Sequence, residues 1–157
     1  VRHDIATKQE SDVATVQGLR VFEVSPDGRW IAAATEGTEH SPSKLLLIPS
    51  GGGPPVEWLT GNLGEQLGGM SQLAWTPDSE GLLLTKRSVP GSEVWHVRRQ
   101  GEARKLVVDV EDWPVARPGA PFRNSFSLSP DGRTVAFLAG TTAQEVWSLD
   151  NMLPGKR

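Results

Sequence analysis

Ten residues at 24–33, VSPDGRWIAA, form an apolar run, a Ser-Pro-Asp-Gly corner and a second apolar run. Nearly the same string returns as LSPDGRTVAF at 128–137, and a worn copy, WTPDSEGLLL, lies between them at 75–84. The corner aspartates Asp27, Asp78 and Asp131 stand 51 and 53 residues apart. A period near 50 residues, filled with short strands, is the signature of a radial array of sheets. No other feature of the chain limits its fold as tightly.

Each unit reads forward as strands. The first offers runs at 19–25, 29–35, 43–49 and 55–60, and the second at 71–76, 81–86, 92–98 and 103–109. The third offers runs at 124–129, 134–139 and 144–150, then stops short of a fourth. All are rich in Val, Leu, Ile, Trp and Phe and are separated by Gly, Pro, Ser and Asp, the grammar of strand and turn. No segment keeps an i, i+3, i+4 apolar pattern for three turns, so no long helix is expected. Runs such as KLLLI, GLLLT and WIAAA are apolar on both faces. That implies sheets covered on both sides, as in radially stacked blades. The units therefore predict blades over 19–60, 70–109 and 123–150, the last lacking its fourth strand.

The corner itself has a mechanical explanation. Pro26 and Pro130 preset φ at the second turn position, and Asp27 and Asp131 suit the third. Gly28 and Gly132 are then free to take a positive φ. Ser79 stands where the other corners have glycine, which costs roughly 1 kcal/mol if that position is left-handed. Seen once, the aspartate resembles a catalytic or metal-binding carboxylate. Seen three times at blade spacing, it reads as a turn former.

Composition narrows the function classes. The chain has no cysteine, which excludes disulfides, thiolate metal sites and cysteine nucleophiles. Its net charge is −3 with scattered Lys and Arg, so neither a nucleic-acid partner nor membrane contact is expected. No apolar stretch reaches the ~18 residues of a membrane span. The opening, VRHDIATKQE, is polar and starts on Val, with no signal peptide visible and the start of a processed or excised segment expected.

The strings SPDGRWIAAAT…LLLIPSGG…VEWLT and SPDGRTVAFLAG…QEVWSLDN resemble the WD-repeat-like blades of TolB-type β-propellers. The resemblance covers nearly the whole chain and is specific for the blade, not for a task. It implies an all-β fold: a β-propeller portion of about three four-stranded antiparallel blades. Such blades recur in bacterial sensors and kinases and in prolyl-oligopeptidase-like hydrolases, and the TolB likeness favours an extracytoplasmic setting. Residues 4–15 resemble the outer two strands of a further blade, so 1–17 are expected to serve a preceding or shared blade. Three blades are too few to close a ring, since closed propellers have about 4–8. The expectation is the C-terminal part of a larger propeller, with a homodimer in isolation in which two copies close a six-bladed ring by strand exchange.

No motif supplies chemistry. GGMSQL at 68–73 lacks the final glycine of a nucleophile elbow and leads into a strand. No zinc-protease, phosphate-loop or dinucleotide fingerprint occurs, and His96 is expected half exposed on a third strand. No metal and no cofactor is expected. Asp109, Glu111 and Asp112 form no Ca²⁺-loop pattern. Phe22, Leu73 and Phe126 match in first strands, and Trp95 and Trp147 in third strands, which predicts inter-blade core.

Binding residues concentrate in loops on a rigid scaffold. Residues 109–123 form the longest connection and do not repeat. By propeller topology they share a rim with 36–43 and 61–70. Trp113, Glu111, Asp112, Arg117, His40 and Glu65 are the candidate ligand-binding residues. The expected function is a non-catalytic module that presents these loops to a protein, peptide or small ligand, within a larger bacterial multidomain protein. The competing expectation is the propeller portion of a prolyl-oligopeptidase-like serine hydrolase, its catalytic domain outside the chain.

Overall fold

A computed structural model describes residues 1–37, 42–59, 70–87, 92–106, 126–139 and 145–150, and of these Ser71, Arg87, Ser92 and 137–150 through the backbone only. Among the described residues every regular element is a β-strand. The chain opens with β1 (Arg2–His3) and β2 (Glu10–Ser11), a two-residue antiparallel pair. The first blade follows as β3 (Leu19–Val24), β4 (Trp30–Thr35), β5 (Leu45–Pro49) and β6 (Val56–Glu57). The second is β7 (Met70–Trp75), β8 (Gly81–Arg87), β9 (Ser92–Arg98) and β10 (Ala103–Leu106). The third is β11 (Phe126–Leu128), β12 (Thr134–Ala139) and β13 (Glu145–Asp150). Each sheet runs antiparallel in chain order, with β3, β7 and β11 innermost. The fold is all-β, built of propeller blades.

The three corners share one hydrogen-bond skeleton. The N–H of Gly28, Ser79 and Gly132 donates to the carbonyl of Ser25, Thr76 and Ser129 at 2.8, 2.9 and 2.9 Å. The hydroxyls of Ser25, Thr76 and Ser129 each donate to the carboxylate of the corner aspartate two residues on. The aspartate accepts again from the N–H two residues later: Arg29 at 3.0 Å, Glu80 at 3.1 Å and Arg133 at 3.0 Å. Positive φ falls at the expected place, 70° at Gly28, 60° at Ser79 and 71° at Gly132. The aspartate is thereby committed to the turn.

The core lies between the first two blades. Ala32, Ala34 and Leu45 face Leu73, Trp75, Leu82 and Leu84, all of them buried. Ala32 and Ala34, on one face of β4, leave room for the larger side chains of the second blade, with each fully buried leucine contributing about 1.5–3 kcal/mol. Two indoles cross the same seam. Trp75 Nε1 donates to the Glu23 carbonyl at 2.9 Å, and Trp58 Nε1 donates to the Arg98 carbonyl at 2.9 Å. Their rings pack tilted, with centroids 5.2 Å apart.

Local departures from the expected strands have physical causes. β6 is short, Val56–Glu57, although the Trp58 N–H still donates to the Leu45 carbonyl at 2.8 Å, and the chain then buries Trp58 and Leu59 against the core. Residues 4–15 hold one strand, β2, paired with β1 before them, because the Asp4 carboxylate accepts the N–H of Ala6 and Thr7 and folds the intervening segment into a turn. Phe22 does not join the inter-blade core; it is 57% exposed, while Leu73 at the matching place is 7% exposed. The inner strand of the first blade turns that side to a face that no described sheet covers. His96 is buried, not half exposed, because its ring packs over Gly81, the one site on β8 without a Cβ.

Candidate functional site

The inner strands converge on a groove of about 310 Å³. Its walls come from β3, the corner after it, β7 and β11. Geometry alone produces it, since neighbouring blades splay outward and leave their inner edges around a common hollow. Val21, Trp75, Phe126 and Leu128 supply apolar side chains to a lining that is otherwise mostly polar, and Pro26 stands at the corner end.

Polar groups on the lining are few and placed by the strands. Gln72 Oε1 accepts the N–H of Phe126 at 3.1 Å, tying β11 to β7. That bond leaves the Gln72 amide N–H groups for another partner. Ser127 supplies an exposed backbone-adjacent hydroxyl. Glu23, exposed on β3, supplies a carboxylate, and partial desolvation by its neighbours pushes its carboxyl above the usual range. At the matching positions the other inner strands carry Ala74 and Ser127. The arrangement places hydrogen-bonding groups and one ionisable acid beside a few apolar side chains.

The Glu36 N–H donates to the Gly18 carbonyl at 2.7 Å, and Arg20 pairs with Glu36 at 3.7 Å. These contacts join the connection that leaves β4 to the segment that enters β3. His40 belongs to that β4–β5 connection, Glu65 to the one between β6 and β7, and Glu111, Asp112, Trp113 and Arg117 to the one between β10 and β11. All six lie outside the described residues, as do Asp109 and Trp147's side chain. Among the described residues no cluster of three or more His, Asp or Glu is placed to hold a metal ion.

Sequence reasoning passed over Glu23, Gln72 and Trp75 as groove residues. The signal was present in the repeat: aligned corners put Glu23, Ala74 and Ser127 in register, a place where the units differ while their flanks agree. His96 carries a different signature. Burial, together with the nearby Arg98, lowers its pKa.

No protein-family profile matches the sequence, and no curated protein is similar to it at the level of sequence. Solved structures are similar in fold. TolB from Acinetobacter baumannii is 16% identical with a TM-score of 0.66, covering 95% of this chain and 34% of that one. A putative TolB from Agrobacterium tumefaciens is 22% identical with a TM-score of 0.56, covering 88% of this chain and 46% of that one. The β-propeller domain of the Trilobed protease from Pyrococcus furiosus is 11% identical with a TM-score of 0.53, covering 85% of this chain and 38% of that one. The chain spans less than half the length of each of these structures. At such identities the likeness shows the fold, a TolB-like β-propeller arrangement, and nothing about activity.

Proposed function

We propose that this chain is a non-catalytic recognition module, a propeller-type scaffold that offers its inner-strand groove and adjoining rim loops to a protein or peptide partner. The observation that supports the reading is the groove itself, lined from three blades by the polar groups of Gln72, Ser127 and Glu23 beside the side chains of Val21, Trp75 and Phe126. Rigid strands hold these groups in place, so binding needs little reorganisation of the scaffold. The rim residues Trp113, Glu111, Asp112, Arg117, His40 and Glu65 are part of the proposal as ligand-binding residues, on the grounds given by the sequence. A larger bacterial sensor or multidomain protein would use the module for docking.

Selection from a random peptide library tests it. Enriched peptides are expected to move the Trp75 indole resonance and the amides of Glu23, Ala74 and Ser127 in a ¹H–¹⁵N spectrum. Their affinity is expected to fall in a Trp113→Ala, Glu111→Ala variant. A selection that enriches nothing, or peptides that perturb only the outer strands, would refute the reading.

A second reading draws on the likeness to a protease's propeller domain. There the module would gate or present substrates to a prolyl-oligopeptidase-like catalytic domain outside this chain. Peptides that bind the groove and are cut only by the full-length parent would favour it. Homodimerisation by strand exchange remains part of our proposal for isolated copies, supported by the exposed Phe22 and Val24 face. Light scattering that finds only monomer at all concentrations would remove that assembly.

A further inference from the structure

The inner strands of the first two blades carry the same seam-forming surface, and only in the second blade is it covered. Aligned corners match Leu19, Phe22 and Val24 with Met70, Leu73 and Trp75. The register of β3 shifts between Leu19 and Val21, and that of β7 shifts at the matching place, between Met70 and Gln72. Met70, Leu73 and Trp75 are 1%, 7% and 5% exposed, whereas Leu19, Phe22 and Val24 are 46%, 57% and 51% exposed. Three large apolar side chains on one strand thus stand in water, at the positions that build the seam between the first and second blades.

What covers that surface in the second blade specifies what fits it in the first. Met70, Leu73 and Trp75 share one cluster with Ala32, Ala34 and Leu45, the small-residue face of the preceding blade. By the aligned corners and the register of β12 with β13, the same positions in the third blade are Ala136, Leu138 and Val146. Strand alternation places them on the side of the third blade opposite to Phe126 and Leu128, which match Leu73 and Trp75. The chain therefore carries both halves of one more seam, the large-residue half on its first blade and the small-residue half on its third. A second copy is the occupant whose complementary surface is already written in the sequence.

We propose that two copies associate face to face, the Leu19, Phe22 and Val24 surface of one first blade packing on the third blade of the other, twice about a two-fold axis. Three blades from each copy make six, within the about 4–8 of closed propellers. The assignment rests on the self-association reading above and names its mating faces; it needs no exchange of strands. The new seam is reversible, because two polar ties of the existing one have no counterpart in it. Val24 stands in place of the Trp75 indole, and Gly28 in place of the Ser79 hydroxyl, the groups that bond the second blade to the first. Burial of apolar surface drives the association.

Sedimentation equilibrium of the full chain over a wide range of concentration tests it. A monomer–dimer equilibrium with nothing larger is expected, since the two seams close the ring. Phe22→Asp and Ala136→Arg are each expected to weaken the dimer about tenfold or more. An unmoved Trp75 indole resonance checks that each variant stays folded, and Ala136→Leu, which overfills the site without a charge, repeats the second test. An equimolar mixture of Phe22→Asp and Ala136→Arg chains is expected to associate more tightly than either alone, because the mixed dimer keeps one seam free of substitutions. A dimer that either face's substitutions leave unchanged, a mixture no tighter than its parts, or species larger than a dimer overturns the face assignment and leaves self-association by another route. A monomer at every concentration overturns both.

Discussion

Ser79 Oγ accepts the backbone N–H of Asp27 at 3.1 Å, joining the corner of the second blade to that of the first. The one corner residue that breaks the glycine pattern is thus the one that bridges two blades. Its φ of 60° carries the left-handed penalty, and its hydroxyl, buried in the seam, offsets that penalty with an inter-blade hydrogen bond.

Two substitutions separate these terms. Ser79→Ala keeps the backbone strain and loses the acceptor, so it is expected to destabilise by about 1 kcal/mol. Ser79→Gly loses the acceptor but relieves roughly 1 kcal/mol of strain, so it is expected to lie close to the parent. Urea denaturation should rank alanine below glycine. An alanine variant as stable as the parent would show that the bridge contributes nothing.

Gly81 is fixed by what lies beside it. A Cβ there would stand 2.8 Å from His96 Nε2 and 3.1 Å from the Val97 carbonyl oxygen. Gly81→Ala is expected to cost about 1–3 kcal/mol through overpacking. His96→Ala should relieve the first clash and not the second, so the double variant is expected to be more stable than the sum of the single effects predicts. Strict additivity in a double-mutant cycle would show that the two residues do not compete for that space.

Equivalent repeat positions should respond unequally to truncation. Leu73→Ala removes a buried side chain from the seam and is expected to cost about 2–5 kcal/mol. Phe22→Ala removes a side chain that is mostly in water and is expected to cost less than about 1 kcal/mol at low concentration. A cost at Phe22 that grows with protein concentration would reveal a covered face and support self-association.

Asp27 supplies a titration with a defined sign. The Ser25 hydroxyl, then the Arg29 main chain and guanidinium, lower its pKa to about 2. A depressed carboxyl adds stability above its unfolded value, near 3.8, and that contribution is lost as pH falls towards about 2. A carbon-detected titration of the Asp27 carboxyl should find its midpoint near the lower value. Ser25→Ala should raise the midpoint more than Arg29→Gln does, since the hydroxyl is the larger cause. The reverse order would contradict the assignment.

Much of the architecture was legible because the corner is local. The side chains of Ser25 and Asp27 find their hydrogen-bond partners within five residues, so the same letters build the same turn wherever they occur. The strands β4, β8 and β12 follow from those corners with little shift. The outer strands were less legible, because Trp58 and Asp4 redirect the chain for reasons of burial and side-chain bonding that strand patterns do not carry.

By itself the sequence determined the blade unit, its count and the structural role of the three corner aspartates. Tertiary structure decided which copies of each repeated position are buried. Phe22 and Leu73 occupy one place in the pattern, yet only Leu73 has a neighbouring sheet packed on it. It also decided the groove: Glu23, Gln72 and Ser127 come from different blades, 49 to 55 residues apart, and meet only because inner strands converge. Hydrogen bonds within a turn depend on nearby letters, whereas burial and convergence depend on what the rest of the chain brings alongside.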